Sequence, residues 1–187
     1  MPPPPAVNDE EMKALIAYVR SLSEGGSAED PNGLIAKGKI NNFTYAAYKG
    51  SWDKLPDFSK LKPFKTGTAK SGTADPGLAG VGENFGVVFE GDIEISKKGD
   101  YTFNLGSDDG TRLYINGKLV VDNDGIHGMQ AKKGKLALEP GTAKLKLEYF
   151  EKSGEEKLAL DMSGPGIKRL QLAKQTIKPQ RRGQAFP

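Results

Sequence analysis

Leu113-Tyr114-Ile115-Asn116-Gly117-Lys118-Leu119-Val120-Val121 decides the fold. Two short apolar runs flank Asn116-Gly117, and Asn and Gly both tolerate the positive φ of a type I′ turn. The stretch therefore reads as a β-hairpin. Working outward, period-two alternation continues on both sides. Val87, Phe89, Ile93 and Ile95 share one parity, as do Tyr101, Phe103 and Leu105. Leu145, Leu147 and Tyr149 repeat the pattern, with Lys144, Lys146 and Glu148 between them. Such alternation means strands with one buried face. Lys98-Gly99-Asp100, Glu139-Pro140-Gly141 and Lys152-Ser153-Gly154 supply further turns. Strands at this spacing predict an all-β fold, an antiparallel sandwich or barrel. Residues 66–83, rich in Gly, Thr and Ala, read as a long surface loop.

The chain has 187 residues, enough for one domain with appendages. Its 24 glycines and 12 prolines favour many short strands over long helices. The formal net charge of +3 lacks the basic footprint of a nucleic-acid binder. The absence of cysteine excludes disulfides, Cys-ligated zinc and thiol catalysis. No apolar run reaches membrane-spanning length, so no membrane insertion is expected. Four prolines follow Met1 where a signal peptide would be basic and then apolar, so an exported parent protein would make this chain a fragment.

The first residues follow a different period. Asn8 suits an N-cap with Glu11 as capping-box partner, and Met12, Leu15, Ile16, Val19 and Leu22 recur on one helical face. Gly25 and Gly26 end that helix. The expected organisation is a short N-terminal α-helix over 1–24, a linker over 25–33, a β-sandwich over 34–173, and a basic tail or edge strand over 174–187.

Tyr48-Lys49-Gly50-Ser51-Trp52, Gly99-Asp100-Tyr101-Thr102-Phe103, Gly106-Ser107-Asp108-Asp109-Gly110-Thr111-Arg112-Leu113-Tyr114-Ile115 and Leu147-Glu148-Tyr149-Phe150-Glu151 follow one another along the chain. In these stretches and their order, from Tyr48 to Gly166, the chain resembles the protective-antigen domain family. The resemblance implies a β-sandwich or barrel with a carbohydrate-binding role. In the sugar-binding adhesin members, two consecutive aspartates joined by a cis bond hold calcium, and the ion bridges to sugar hydroxyls. Asp108 and Asp109 match that pair. In those members a second loop adds a side-chain amide. Here the corresponding 151–156 loop has no Asn or Gln, and Ser153 and Glu155 become the candidate ligands. Either an acid replaces the amide, since calcium takes six to eight oxygens in loose geometry, or the site is degenerate and Asp-Asp-Gly is an Asx-turn.

Candidates for contacting a bound sugar are Asp108, Asp109, Asp122, Asn123, His127 and Glu155. Asp122-Asn123-Asp124 lacks the spacing of an EF-hand loop and reads as a turn. His127, the sole histidine, cannot build a zinc site or a triad and is expected to make structural hydrogen bonds. Trp52 and Tyr114 offer sugar-stacking rings, although strand-face packing is the preferred reading. Met1-Pro2 and Ala17-Tyr18-Val19-Arg20-Ser21-Leu22 resemble the end of a class I cytochrome c domain, where the Met ligates haem. Without a Cys-x-x-Cys-His site this chain holds no haem, so the resemblance implies a cytochrome c domain upstream in an exported, periplasmic or cell-surface protein. Its orphaned apolar stripe is expected to dock on the sandwich or on a neighbouring copy. The expected function is a non-catalytic carbohydrate-binding module, with calcium as its possible cofactor. The alternative is a structural or protein-interaction domain. A glycosidase would need a second acid partner in a cleft, and none is nominated.

Overall fold

The computed structural model describes residues 36–37 and 40–173, and the expected N-terminal helix and basic tail lie outside the described residues. The chain divides into two units, Met1–Lys37 and Gly38–Pro187. The first contains the two-residue strand β1 (Ala36–Lys37). In the second, β2 (Asn41–Lys49), β3 (Lys65–Thr68), β4 (Phe85–Ile95), β6 (Thr111–Ile115), β7 (Lys118–Asn123) and β9 (Gly141–Glu151) form a six-stranded sheet ordered β3-β2-β4-β9-β6-β7. The other sheet of this unit runs β11 (Ile167–Ala173), β10 (Lys157–Gly164), β5 (Gly99–Asp108) and β8 (Gln130–Leu138). The pairs between these strands are antiparallel. The all-β antiparallel expectation holds. No helix among the described residues is long and apolar enough to cross a membrane.

Alternation explains the core. Val87, Phe89, Leu113, Leu145 and Leu147 from one sheet and Tyr101, Phe103, Leu105, Leu158 and Leu160 from the other belong to one buried apolar cluster. At one end of the six-stranded sheet the outer face is also covered. There Tyr48, Leu55, Phe58, Val88 and Phe150 make a second cluster, so Phe85–Phe89 is buried at both parities. Asn116 and Gly117 both have positive φ, at 50° and 75°, as the hairpin reading requires.

Residues 66–83 depart from expectation. This stretch carries β3 and a short 3-10 turn, Pro76–Ala79. Ala69, Ala74 and Ala79 are buried, and the Ala74 amide donates to the Leu172 carbonyl at 2.9 Å. Small side chains here permit close packing against the sandwich, and composition alone cannot separate that use from flexibility.

At Gly134, β8 packs closely against β7. A Cβ on Gly134 would stand 2.0 Å from the backbone oxygen of Val120. Gly134→Ala should therefore destabilise by about 1–3 kcal/mol through overpacking. Gly128→Ala, which meets open space, serves as the control and should leave the urea midpoint unchanged.

Candidate metal centre and its loops

β5 ends at Asp108, β6 begins at Thr111, and the Asp108–Asp109 peptide bond is cis. Gly110 is required by close approach, because a Cβ there would stand 2.4 Å from the Phe150 ring. Asp109 is 3% exposed. Its Oδ1 accepts from the His127 amide at 2.9 Å, and its Oδ2 accepts from the Lys152 amide at 3.1 Å. One carboxylate thus ties the β7–β8 and β9–β10 loops to the β5–β6 turn.

Asp108 is half-buried. Its carbonyl accepts from the Tyr149 hydroxyl at 2.6 Å. That hydroxyl also lies 2.8 Å from Oε2 of Glu151, which is fully buried. The other Glu151 oxygen, Oε1, is buried without a hydrogen-bond partner. Asp108, Asp109 and Glu151 each bring a carboxylate oxygen within 4.8 Å of the others. Burial, reinforced by Asp109, raises the Asp108 carboxyl above its usual range. Burial, with repulsion from Asp109 and Asp108, lifts Glu151 to about 8 despite hydrogen bonding from the Tyr149 hydroxyl and the Asp109 backbone. Burial, with Glu151 beside it, pushes the Tyr149 phenol far above its ordinary value.

Three converging carboxylates with one unsatisfied buried oxygen form a site whose chemistry suits a hard, oxygen-seeking cation. Crowded acids raise each other's proton affinity, and a divalent cation would relieve that repulsion.

The remaining sequence candidates take other places. Glu155 points to Lys157 as an ion pair, and Ser153 is exposed on the same loop. Glu151 is the acid brought to the aspartate pair instead. The signal was present in the strand parity, since Glu151 continues the inward series Leu145, Leu147, Tyr149. Asn123 is fully buried, and its side chain is committed to the protein itself. Its amide donates to Ser107 Oγ at 3.0 Å and to the Gln130 carbonyl at 3.1 Å, and its oxygen accepts from Gln130 Nε2 at 3.0 Å. Asp122 accepts from Arg112 Nε at 3.2 Å and from the Asp124 amide at 3.1 Å. Asp124 accepts from Arg112 Nη2 at 2.9 Å and from the Leu55 amide at 2.7 Å. The His127 ring nitrogens each lie 2.9 Å from a backbone carbonyl, those of Gly128 and Asn123, so the ring braces its own loop. Trp52 stands edge-on to Phe58 at 6.1 Å, and Tyr114 lies under the Lys146 ammonium at 5.5 Å.

Two substitutions separate strut from cation ligand in the metal-free protein. Asp109→Asn replaces one acceptor oxygen with a donor facing a loop amide, and should cost about 1–3 kcal/mol. Glu151→Gln acts in the opposite direction. A carboxyl whose folded value is raised costs stability progressively as pH climbs from its ordinary value of 4.5 to its folded value of about 8, where the cost is complete. In chelator, above about pH 8, Glu151→Gln should therefore raise the melting temperature by removing a buried charge. Thermal melts of both variants beside the parent check the two signs.

No curated protein matches this chain. Among solved structures, the PA14 domain of the MpAFP antifreeze protein is 18% identical, with a TM-score of 0.55 over 70% of this chain and 86% of that one. An anti-sigma factor domain-containing protein from Clostridium clariflavum is 21% identical, with a TM-score of 0.56 over 77% of this chain. Only 49% of that longer chain is covered. A domain described as the PA14 sugar-binding domain from an RTX adhesin is 17% identical, with a TM-score of 0.50 over 68% of this chain and 90% of that one. These likenesses show a shared fold. The sequence profile of the PA14 domain covers residues 46–173, most of the chain, and the chain therefore belongs to the PA14 domain family.

Proposed function

We propose that this chain is a non-catalytic carbohydrate-binding module that holds calcium at Asp108, Asp109 and Glu151. The observation that carries the reading is the Glu151 oxygen buried without a hydrogen-bond partner beside the aspartate pair. A buried unsatisfied carboxylate oxygen is costly in a protein alone and suits a cation ligand. The adhesin relative described as sugar-binding supports the same direction. Calcium would supply positive charge to the three acids and coordination positions for sugar hydroxyls. The chain's own residues do the rest. Asp109 anchors both flanking loops, Tyr149 orients Glu151 from behind, and Arg112 fixes the loop that carries His127 through Asp122 and Asp124. Asp109 is committed to two loop amides, which leaves it poorly suited to act as a catalytic acid or base. The reading places the module outside the cytoplasm, within a longer exported protein in which a cytochrome c domain precedes it.

A thermal melt of the full chain in calcium and in chelator tests the metal. At about 100 times Kd, a ligand specific for the folded state adds about 2.7 kcal/mol, or about 5–10 °C for a chain of this size. That rise should vanish in Asp108→Asn, and glycan-array binding should require calcium. Absence of a shift at millimolar calcium would sink the metal reading. A shift with no glycan bound would leave a calcium-stabilised structural module.

A further inference from the structure

The outer face of the six-stranded sheet carries two adjoining hollows, of about 680 and 520 Å³. They share Thr44, Glu90 and Lys146. The strand registers place these residues in one straight row: Thr68 opposite Thr44, Thr44 opposite Glu90, Glu90 opposite Lys146, and Lys146 opposite Tyr114. Five strands at ordinary spacing make this row about 19 Å long, directed across the strands.

We infer that this row is a second carbohydrate site, independent of metal, which takes a neutral polysaccharide chain lying across β3, β2, β4, β9 and β6. Charge selects the ligand class. Asp92 is held by Lys144 at 2.7 Å, and Glu148 by Lys146 at 2.7 Å. The groove's ammonium groups are thereby largely neutralised, so it has no field to attract a polyanion. The remaining carboxylate, Glu90, is exposed and makes no side-chain hydrogen bond or ion pair among the described residues. It accepts hydrogen bonds, Lys146 donates them, the Thr68 hydroxyl does both, and the Thr44 hydroxyl, which donates to the Glu90 carbonyl at 3.4 Å, accepts. Alternating acceptors and donors on a rigid sheet match the hydroxyl pattern of a sugar chain. The half-buried Tyr114 ring ends the row beneath the Lys146 ammonium, 5.5 Å from its centre, so a sugar stacks on that face by displacing the ammonium. A few placed polar groups around an aromatic surface in a hollow of this volume are the usual make-up of a small-ligand site. The groove is separate from the acidic triad, because Lys146 and Glu151 stand five residues apart on β9, about 17 Å.

The full chain should be titrated calorimetrically in EDTA with neutral hexasaccharides of glucose, xylose and mannose, and with a galacturonate hexamer as the anionic probe. At least one neutral probe should bind. Glu90→Gln, at the centre of the row, and Tyr114→Ala, at its end, should each weaken that binding about tenfold, and Thr44→Trp should block the groove by filling it. Unchanged melting temperatures would show that these surface variants fold, and if Tyr114→Ala does not, the other two decide. Asp108→Asn should have no effect, so failure of the calcium reading would leave this result untouched. The inference is overturned if no neutral probe binds in EDTA, if the galacturonate hexamer binds more tightly, or if binding survives Glu90→Gln and Thr44→Trp.

Discussion

Asp109 holds the loop end of this molecule together. Its two oxygens accept amides from His127 and Lys152, so three loops that enter from β5, β7 and β9 converge on one side chain. A buried carboxylate is tolerated only when its lone pairs are satisfied, and here backbone amides do most of that. The cost of the neighbouring charges is concentrated on Glu151, whose Oε1 is buried without a hydrogen-bond partner. Acidic groups are thus gathered at one end of a sandwich whose interior is otherwise apolar.

The sandwich makes that arrangement possible. A core filled from both sheets fixes β5, β6 and β9 rigidly, and the acids extend from the ends of those strands. Asn123 joins Ser107 to the β8 backbone, and Ser107 pairs with Thr111 at 2.9 Å. This polar layer is satisfied internally where buried structure meets the solvent-facing loops. The six-stranded sheet serves its two faces differently. Its inner face is packed, its outer face is capped by aromatic residues near the loops, and the middle of that face stays open and polar.

Much of this was legible in the residues, for physical reasons. Asn116-Gly117 marks its hairpin because few dipeptides tolerate those backbone angles. Alternation reveals Leu145, Leu147 and Tyr149 as inward because one sheet face must be buried. The same parity continues to Glu151, yet a charged residue at a strand end is ordinarily read as solvent-facing. Its role depends on which loops approach it, and that is a long-range property. Asn123 looked like part of an exposed acidic turn because its burial depends on Gln130 across the loop. The Ala74 stretch looked like a loop because small residues signal flexibility and tight packing equally. The groove was invisible for a similar reason: Glu90, Lys146 and Thr44 are separate solvated positions until the register aligns them.

The most direct test of the central claim, a cation held by three carboxylates, is a crystal structure of the full chain grown in millimolar calcium. The account predicts one ion with oxygens of Asp108, Asp109 and Glu151 all at about 2.3–2.6 Å, and Glu151 Oε1 among them. Glu151 remaining on Tyr149 with no ion beside it, or an ion held only by exposed loop residues such as Ser153 and Glu155, would contradict it.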